Sequence, residues 1–466
     1  MRRYCLLTIG CQMNEADGRY VAAQLEQRGY TPTGRPRDAD LVVLNTCVVR
    51  QAAEDRAYAI LAEIEGLRAR RPDLRVALMG CLVGTRPAPG LAARFPFVDV
   101  FLPPSDIGPL LRFLDGTTEK DGGDDSVVRR ADDDREAAIR SAIAAEQTVR
   151  PPSRRQDPLA YLPVVLGCSR ACTYCVIPYR RGRERSRTPE AVLAEARRLV
   201  EDGVRELTLL GQIVDRYGAD LDGAGDLAEL LRAVAGIPGL FRVRFLTSHP
   251  SYLSDRILRA VTDHPAICPV FELPIQSGND AILGAMRRGY TVGDYRRLAD
   301  QIRTLVPNAA IHTDIIVGFP GETEAQFEDS VRLVEIMEFA KVHIAKYSPR
   351  PQTYAARRMA DDVPDEEKER RRRRLDAIQV AIQQRRNAAL LRSEVEVLVD
   401  GCDEKRGRWR GRTVDDRLVF FEGTGTPPGT LARVRIEWTG PFTLIGKLKT
   451  GGGPKSAARP RTDPAP

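Results

Sequence analysis

The chain has 466 residues, of which 42% are hydrophobic and 29% are charged, and these fractions are those of a globular protein with two or three domains. No apolar run reaches the roughly 18 residues that a membrane span requires, which excludes a membrane-spanning protein. The N-terminal MRRYCLLTIG lacks a small-residue cleavage site, so it predicts a first strand rather than a signal peptide, and a cytoplasmic protein. The net charge of +7 favours a polyanionic partner, with nucleic acid the first candidate.

An apolar strand leads to a cysteine three times within the first hundred residues. The strands at residues 6–9, 41–44 and 76–79 precede Cys11, Cys47 and Cys81. Helical patterns at about 15–28 and 51–65 separate the strands, and this alternation predicts an open parallel α/β domain over residues 1–115. Because ligands gather beyond the carboxyl ends of the strands in such sheets, we expect the three cysteines to converge.

The composition changes after residue 115. The stretch EKDGGDDSVVRRADDDRE is charged and lacks aromatic residues, which indicates a solvated linker over 116–157. Over 158–386, amphipathic segments separate several of six candidate strands, YLPVVLG, VRELTLLG, FRVRFLTS, VFELPIQSG, AAIHTDIIVGF and AKVHIAKYS. This α/β pattern predicts a partial (β/α)6 barrel with its active site at the carboxyl ends of the strands.

The barrel region ends in a charged helix, PDEEKERRRRRLDAIQVAIQQRRNAALLRS. Its five consecutive arginines are interpreted as a solvated helix face, with RNA binding as the alternative. Five short strands with glycine turns follow over 387–450 and predict a small β-barrel of OB-like size. The tail at 451–466 is predicted to be disordered.

A second cysteine group, Cys168, Cys172 and Cys175, has the spacing C-x3-C-x2-C and follows the first barrel strand. Nine cysteines in a reducing cytosol indicate metal or redox chemistry more often than disulfide bonds. Structural zinc takes four ligands, whereas each group here offers three thiols. Three thiolates on a [4Fe-4S] cluster leave one iron open to a further ligand. The spacing therefore favours an iron–sulfur cluster at the barrel mouth.

The repeated strand-end position favours a second cluster on the N-terminal cysteines, although the spacing of Cys11, Cys47 and Cys81 alone is a weaker signal, since buried cysteine is common. Cys5 lies inside a predicted strand, and Cys268 and Cys402 stand outside any group. We interpret these three as core or incidental thiols.

Several motifs resemble those of the radical S-adenosylmethionine (SAM) methylthiotransferase family. The cysteine loop GCSRACTYCVIPYRRGRERSR is the most specific of them, and the others run from residue 8 to about 425: GCQMN, NTCVVRQAAE, MGC, LTLLGQ, FLTSHP, LPIQSG, DIIVGFPGETEAQF, YSPRP and GRTVDDRLVFFEG. The resemblance implies an N-terminal methylthiotransferase domain, a radical SAM barrel and a C-terminal TRAM β-barrel. It covers nearly the whole chain.

The resemblance also implies a reaction. Cys168, Cys172 and Cys175 would hold the [4Fe-4S] cluster that cleaves SAM, and the N-terminal cysteines an auxiliary [4Fe-4S] cluster that carries sulfur. One SAM molecule would donate a methyl group, and a second would give a 5'-deoxyadenosyl radical that takes hydrogen from C2 of an adenine. The implied substrate is N6-dimethylallyladenosine at position 37 of tRNA, in the anticodon stem-loop. An electron donor such as flavodoxin or ferredoxin is the implied redox partner.

Six polar residues at predicted strand ends match family motifs and become candidates for SAM contacts or substrate positioning. They are Gln212, Ser248, His249, Gln276, Ser277 and Asp314. The alternative is a structural role, in which each satisfies backbone groups at the end of the barrel. No residue is assigned as a catalytic acid or base.

The chain departs from the family pattern at four positions. Gly18 replaces a serine, Glu272 a histidine, and Gln352 and Tyr354 stand where glycine and proline are usual. Two alternatives to the implied reaction remain: a sibling enzyme that acts on N6-threonylcarbamoyladenosine of tRNA or on a ribosomal protein, and a non-enzymatic iron–sulfur RNA-binding sensor.

In the C-terminal barrel, a basic surface for RNA phosphates is predicted at Arg408, Arg410, Arg412 and Arg417.

Overall fold

The computed structural model describes residues 1–85, 90–116 and 157–449. Almost all of the linker predicted at 116–157, and all of the tail predicted at 451–466, lie outside the described residues. Within the described part of the chain, no helix is long and apolar enough to cross a membrane.

The N-terminal sheet has five parallel strands, as the repeated strand–cysteine pattern predicts. The spatial order is β2-β1-β3-β4-β5, with β1 at Arg3–Thr8, β2 at Thr31–Pro32, β3 at Leu41–Thr46, β4 at Arg75–Gly80 and β5 at Val100–Leu102. Every residue of β3 is buried, because helices cover both faces of a parallel sheet. The helices of this region are Gln12–Gln27, Gln51–Arg70, Leu91–Arg94 and Gly108–Leu114.

Six parallel strands form the central partial barrel, in the order β6-β9-β10-β11-β12-β13. They are Leu159–Pro163, Glu206–Leu210, Arg242–Leu246, Val270–Glu272, Ala310–Val317 and Lys341–Lys346, while β7 (Val165–Leu166) and β8 (Arg185–Ser186) form a small ribbon beside the cysteine loop. The Ser248 N–H donates to the Glu272 carbonyl at 2.9 Å, which joins the two three-stranded halves between β10 and β11. All six predicted barrel strands are therefore present.

Helices surround this barrel. They are Ile177–Arg181, Pro189–Glu201, Leu227–Ala235, Asp255–Asp263, Asp280–Ala285, Val292–Leu305, Glu324–Met337, Tyr354–Arg358 and Asp365–Ala388. Alternate strand residues such as Leu207, Phe245 and Ile315 pack against them in the largest hydrophobic core. The residues between these positions include Arg244 and His312, which are polar and buried.

The C-terminal residues form a closed five-stranded barrel, as predicted. Its strands are β14 at Glu394–Asp403, β15 at Arg408–Arg412, β16 at Leu418–Glu422, β17 at Leu431–Thr439 and β18 at Leu444–Leu448. They pair in the order β14-β15-β16-β18-β17. Arg244 on β10 donates to the carbonyls of Thr413 and Val414 at 2.9 and 3.1 Å. The loop between β15 and β16 therefore docks against the amino-terminal side of the central barrel.

The five-arginine run on the helix Asp365–Ala388 is fully engaged by carboxylates. The pairs are Arg370 with Glu324 and Glu367, Arg371 with Glu322, Glu324 and Glu367, Arg372 with Glu369 and Asp376, Arg373 with Glu369, and Arg374 with Glu328. Arg371 is buried and forms an ion pair with Glu322 of the GFPGET loop at 2.9 Å. These pairs favour a structural role for the run over the RNA-binding alternative.

Each of the four arginines predicted to form a basic surface on the C-terminal barrel pairs with a carboxylate, and the binding of RNA phosphates there stays a prediction. Arg408 pairs with Glu422, Arg410 with Asp400, Arg412 with Asp416, and Arg417 with Asp415. Arg417 also donates to Asn387 at 2.6 Å. The charges therefore cancel locally, and Arg417 joins the C-terminal barrel to the preceding helix.

Candidate functional site

The N-terminal cysteines lie at the carboxyl ends of β1, β3 and β4, which are adjacent in the sheet. Gly10 lets the first loop approach the second, since a Cβ there would lie 2.5 Å from the Cys47 Cβ and its φ of +137° suits glycine. Asn14 is fully buried; its amide donates to Asn45 Oδ1 and the Thr46 carbonyl at 2.9 Å, and its Oδ1 accepts from Cys11 Sγ at 3.3 Å. The sheet order and this amide hold the Cys11 and Cys47 loops together.

A buried arginine from the other cysteine loop reaches this group. Arg181, on the helix that follows Cys175, lies 3.6 Å from the Asp17 carboxylate, and both side chains are buried. A hydrogen bond with Cys47, together with the Arg181 guanidinium, outweighs burial and lowers the pKa of Cys81, while the same hydrogen bond raises the pKa of Cys47. The arrangement favours a thiolate among the N-terminal cysteines.

The C-x3-C-x2-C loop follows β7 and is fixed by backbone contacts. Gly167 has a φ of +73°, and a Cβ there would lie 2.1 Å from the Arg183 carbonyl oxygen. The Cys168 N–H donates to the Gly182 carbonyl at 3.1 Å, and the Thr173 N–H donates to the Met286 carbonyl at 3.1 Å. Burial raises the pKa of Cys175 to about 12. The loop is thus clamped between the chain that follows it and the helix Asp280–Ala285.

Two arginines and two tyrosines form one wall beside this loop. Arg288 is buried and donates to Cys172 Sγ at 3.4 Å, to the Pro274 carbonyl at 2.9 Å and to the Tyr290 hydroxyl at 2.8 Å. Arg170 donates to the Arg288 carbonyl at 2.6 Å and to the Tyr252 hydroxyl at 3.1 Å. These cations lie where an anionic group next to the thiols would be stabilised.

Ser248 and His249 follow β10 and present buried polar atoms to the same region. The His249 ring lies 5.3 Å from the Tyr252 ring and 5.4 Å from the Tyr290 ring, measured between centroids. Its Nδ1 accepts from the Ser251 N–H at 3.2 Å, so the proton of the neutral ring lies on Nε2. Burial lowers the pKa of His249 to about 3. His249 Nε2 and Ser248 Oγ have no hydrogen-bond partner among the described residues.

The Asp215 carboxylate contacts the backbone of His249. Its Oδ2 accepts from the His249 N–H at 2.9 Å, its Oδ1 has no partner within the described chain, and burial raises its pKa to about 7. Two further carboxyls, Asp314 and Glu272, lie on β12 and β11. Burial raises the pKa of Asp314 to about 6 and, with help from Asp314, that of Glu272 to about 7. The mouth therefore holds buried polar atoms that a ligand could satisfy.

The donor sets fit two iron–sulfur clusters and a polar cofactor. Each thiol group offers three sulfur ligands, and the unpartnered Ser248, His249 and Asp215 atoms lie beside the barrel group. Across the described residues, no three His, Cys, Asp or Glu side chains are grouped as they would be around a single metal ion. In a cube, by contrast, each thiolate binds a different iron.

Comparison with known proteins agrees with this division of the chain. Residues 162–334 match the Radical SAM superfamily, and residues 389–449 match the TRAM domain. Residues 3–103 match a family described as uncharacterized protein family UPF0004.

Two curated relatives are similar over nearly the whole length, and both are named tRNA-2-methylthio-N(6)-dimethylallyladenosine synthase. The relative from Roseiflexus sp. (strain RS-1) is 45% identical over 96% of this chain and 90% of its own length. The relative from Chloroflexus aurantiacus is 43% identical over 96% of this chain and 91% of its own length. The chain belongs to this synthase family. It is an enzyme of the radical SAM methylthiotransferase type.

A solved structure shares the fold of this synthase family member. The radical S-adenosylmethionine methyltransferase TsrM from Kitasatospora setae has a TM-score of 0.54 and 17% identity, over 76% of this chain and 77% of that one. At this identity the likeness concerns the fold alone.

The other candidate residues of this family member lie at strand ends around the same mouth. Gln212 follows β9 and is half-buried, while Gln276 and Ser277 follow β11 and are buried. The Gln276 N–H donates to the Asp314 carbonyl at 2.9 Å, and Ser277 Oγ accepts from the Asn279 N–H at 3.3 Å. Gln276 and Ser277 therefore also have a structural role. The Gln276 backbone N–H and the Ser277 hydroxyl each form a hydrogen bond that orders the chain at the strand end.

Sequence reasoning missed Arg288, Tyr290, Arg181, Asn14 and Asp215. Arg288 and Tyr290 lie in MRRGY, a basic–aromatic stretch that begins ten residues after Gln276 and that could have indicated them. Asn14 is three residues after Cys11 at the start of a helix, and this spacing places the Asn14 side chain beside the cysteine. No local pattern distinguishes Asp215 from other acidic residues.

Two departures from the family pattern lie where packing or the backbone constrains the side chain. A Cβ at Gly18 would lie 2.8 Å from Thr8 Oγ1, so this helix packs too closely on β1 to hold a serine in the same place. Gln352 has a φ of +75°, in the left-handed region that favours the usual glycine, and nothing in the structure explains the glutamine.

Proposed function

We propose that the protein attaches a methylthio group to C2 of N6-dimethylallyladenosine at position 37 of tRNA. The observation that carries the proposal is the pair of three-thiol groups, one at the end of each parallel sheet, joined by Arg181. A binding protein needs no second thiol group connected to the first. The names of the full-length relatives support the substrate.

Cys168, Cys172 and Cys175 would hold one [4Fe-4S] cluster, and Cys11, Cys47 and Cys81 the other. When bound, the clusters and SAM supply the one-electron chemistry and the methylthio group that an inert aromatic C–H requires. Arg181 and Asn14 keep the N-terminal thiols in place, and Arg288 donates to Cys172. Cys47, Cys81 and Cys168 are buried, which limits the access of water to these thiols.

The six polar candidates are proposed to bind SAM or to position the base. Ser248 Oγ and the His249 Nε2–H offer one acceptor-donor pair beside the barrel thiols. Gln212, Gln276 and Ser277 would contribute from neighbouring strand ends, and Asp314 from the barrel interior. We also propose domains at 1–115, 158–386 and 387–450, with a linker at 116–157 and a tail at 451–466.

The cellular setting follows from the substrate. A tRNA-modifying enzyme works where tRNA is, so we propose a cytoplasmic location. An electron donor such as flavodoxin or ferredoxin would supply the reducing equivalent. The exposed arginines around the mouth would meet the RNA backbone.

An in vitro assay separates this substrate from its alternatives. Anaerobically reconstituted protein is incubated with SAM, sulfide, reductant and anticodon stem-loops that carry dimethylallyladenosine, threonylcarbamoyladenosine or plain adenosine at position 37. We expect methylthiolated nucleoside from the dimethylallyl stem-loop alone, because the pocket must match the N6 substituent. Product from the threonylcarbamoyl stem-loop instead would identify the sibling enzyme that acts on tRNA. Absence of product from all three would favour the sibling that acts on a ribosomal protein, or the sensor.

A further inference from the structure

An exposed arginine and an exposed tyrosine stack on each other at the barrel mouth. The Arg287 guanidinium lies 4.3 Å from the centroid of the Tyr354 ring. Tyr354 is 43% exposed, which is a large fraction for an aromatic side chain in a folded protein. The pair thus presents a flat, cationic surface to solvent.

Hydrogen bonds fix this pair beside the C-x3-C-x2-C loop. Thr173, which lies between Cys172 and Cys175, accepts from the Ala355 N–H at 2.8 Å through its carbonyl. The same residue donates its N–H to the Met286 carbonyl at 3.1 Å, next to Arg287. Tyr354 and Arg287 are therefore each one residue away from a direct contact with the cysteine loop.

The segment that carries Tyr354 also contacts the N-terminal domain. Arg350 is buried and pairs with Glu54 at 2.7 Å, and it donates to Gln51 and to the Val48 carbonyl. Val48 follows Cys47 directly. Tyr354 consequently lies on a segment that contacts the loops of both thiol groups, and Arg287 stacks on it there.

The charge around the pair is uncompensated. Arg287, Arg357 and Arg358 are exposed, and none of them forms an ion pair within residues 1–85, 90–116 and 157–449. Four arginines of the C-terminal barrel differ, because Arg408, Arg410, Arg412 and Arg417 each pair with a carboxylate. An aromatic face surrounded by free cations suits an unpaired nucleotide, which has a π surface and a phosphate.

We propose that Arg287 and Tyr354 form a stacking platform for an unpaired tRNA base that flanks the target adenosine. The proposal rests on the proposed function, which brings an anticodon loop to this mouth. Tyr354 stands where the family usually has proline, so the platform belongs to this chain rather than to the family pattern. It would set a preference for the neighbouring nucleotide without touching the reacting atoms.

Equilibrium binding of a labelled anticodon stem-loop to the full-length reconstituted protein tests the platform. We expect Tyr354→Ala to weaken binding about 5- to 100-fold, as loss of one stacked base does, and Tyr354→Phe to bind as the wild type does. Arg287→Gln should weaken binding and lower the dependence of log Kd on log salt by about one. Trp438→Ala, which removes an exposed aromatic from the C-terminal barrel, is the matched control and should have no effect.

A fully paired RNA hairpin stem without the loop gives the second arm. Its affinity should be the same for wild-type and Tyr354→Ala protein, because it has no unpaired base to stack. Equal stem-loop affinities for wild-type and Tyr354→Ala protein would overturn the platform, and so would an equal loss on the paired stem. Wild-type protein that makes no methylthiolated nucleoside would instead overturn the proposed function, whatever the affinities.

Discussion

Alanine at Cys168, Cys172 and Cys175 together is expected to remove about half of the bound iron and to abolish both 5'-deoxyadenosine and methylthiolated adenosine. Half is expected because each thiol group would hold one of two equal clusters. Without the barrel cluster, SAM would lack both a binding site and the electron that cleaves it. Iron analysis and chromatography of the reaction products after anaerobic reconstitution provide the measurement.

The control for this variant is Cys402→Ala, which removes an exposed thiol far along the chain from both groups. It should keep full iron and full activity. A triple variant that retains all of its iron would refute the assignment of the barrel group, and zinc in place of iron would do the same.

The matching change at Cys11, Cys47 and Cys81 is expected to separate the two products. This triple variant should lose the other half of the iron and form no methylthiolated adenosine, yet still form 5'-deoxyadenosine from SAM and a reductant. The reason is spatial: these thiols belong to the N-terminal sheet, whereas Ser248, His249 and Arg288 lie beside the barrel group. Cys5→Ala, which changes a buried thiol in the same sheet, should retain both products. Methylthiolated tRNA from the triple variant would show that these cysteines do not carry the sulfur.

The convergence of the N-terminal cysteines could be predicted because it needs only local information. Strand–cysteine repeats give a parallel sheet, and a parallel sheet brings all carboxyl ends to one edge. The barrel strands and the C-terminal barrel followed from similar periodic patterns. In the same way, the strand-end position of Ser248 and His249 in the sequence indicates the mouth.

The partners of the arginines could not be predicted in this way. Arg181 finds Asp17 across 164 residues of sequence, and no local pattern selects that carboxylate among 64 acidic residues. Arg187 likewise is buried against Glu195 at 2.7 Å, and breaking such a buried pair costs about 3–5 kcal/mol. The arginines after Cys175 therefore include structural ones, although their sequence resembles a basic patch for RNA.

The C-terminal barrel shows the same difficulty on a shorter scale. Arg410 meets Asp400 because β14 and β15 are neighbours, and Arg417 meets Asp415 within one turn. Composition counts these arginines as available charge, whereas the cross-strand pairing cancels it. The unpaired cations at the mouth, Arg287 among them, depend on the same three-dimensional pairing, which no local pattern shows.

Mass spectrometry of tRNA nucleosides from cells tests the central claim most directly. A strain that lacks its own 2-methylthio enzyme but still makes N6-dimethylallyladenosine is complemented with wild-type protein, or with alanine variants of either cysteine group. We predict that 2-methylthio-N6-dimethylallyladenosine returns only with the wild type, and that both variants leave N6-dimethylallyladenosine to accumulate. Accumulated N6-dimethylallyladenosine in cells that express the folded, iron-loaded wild type would contradict the account.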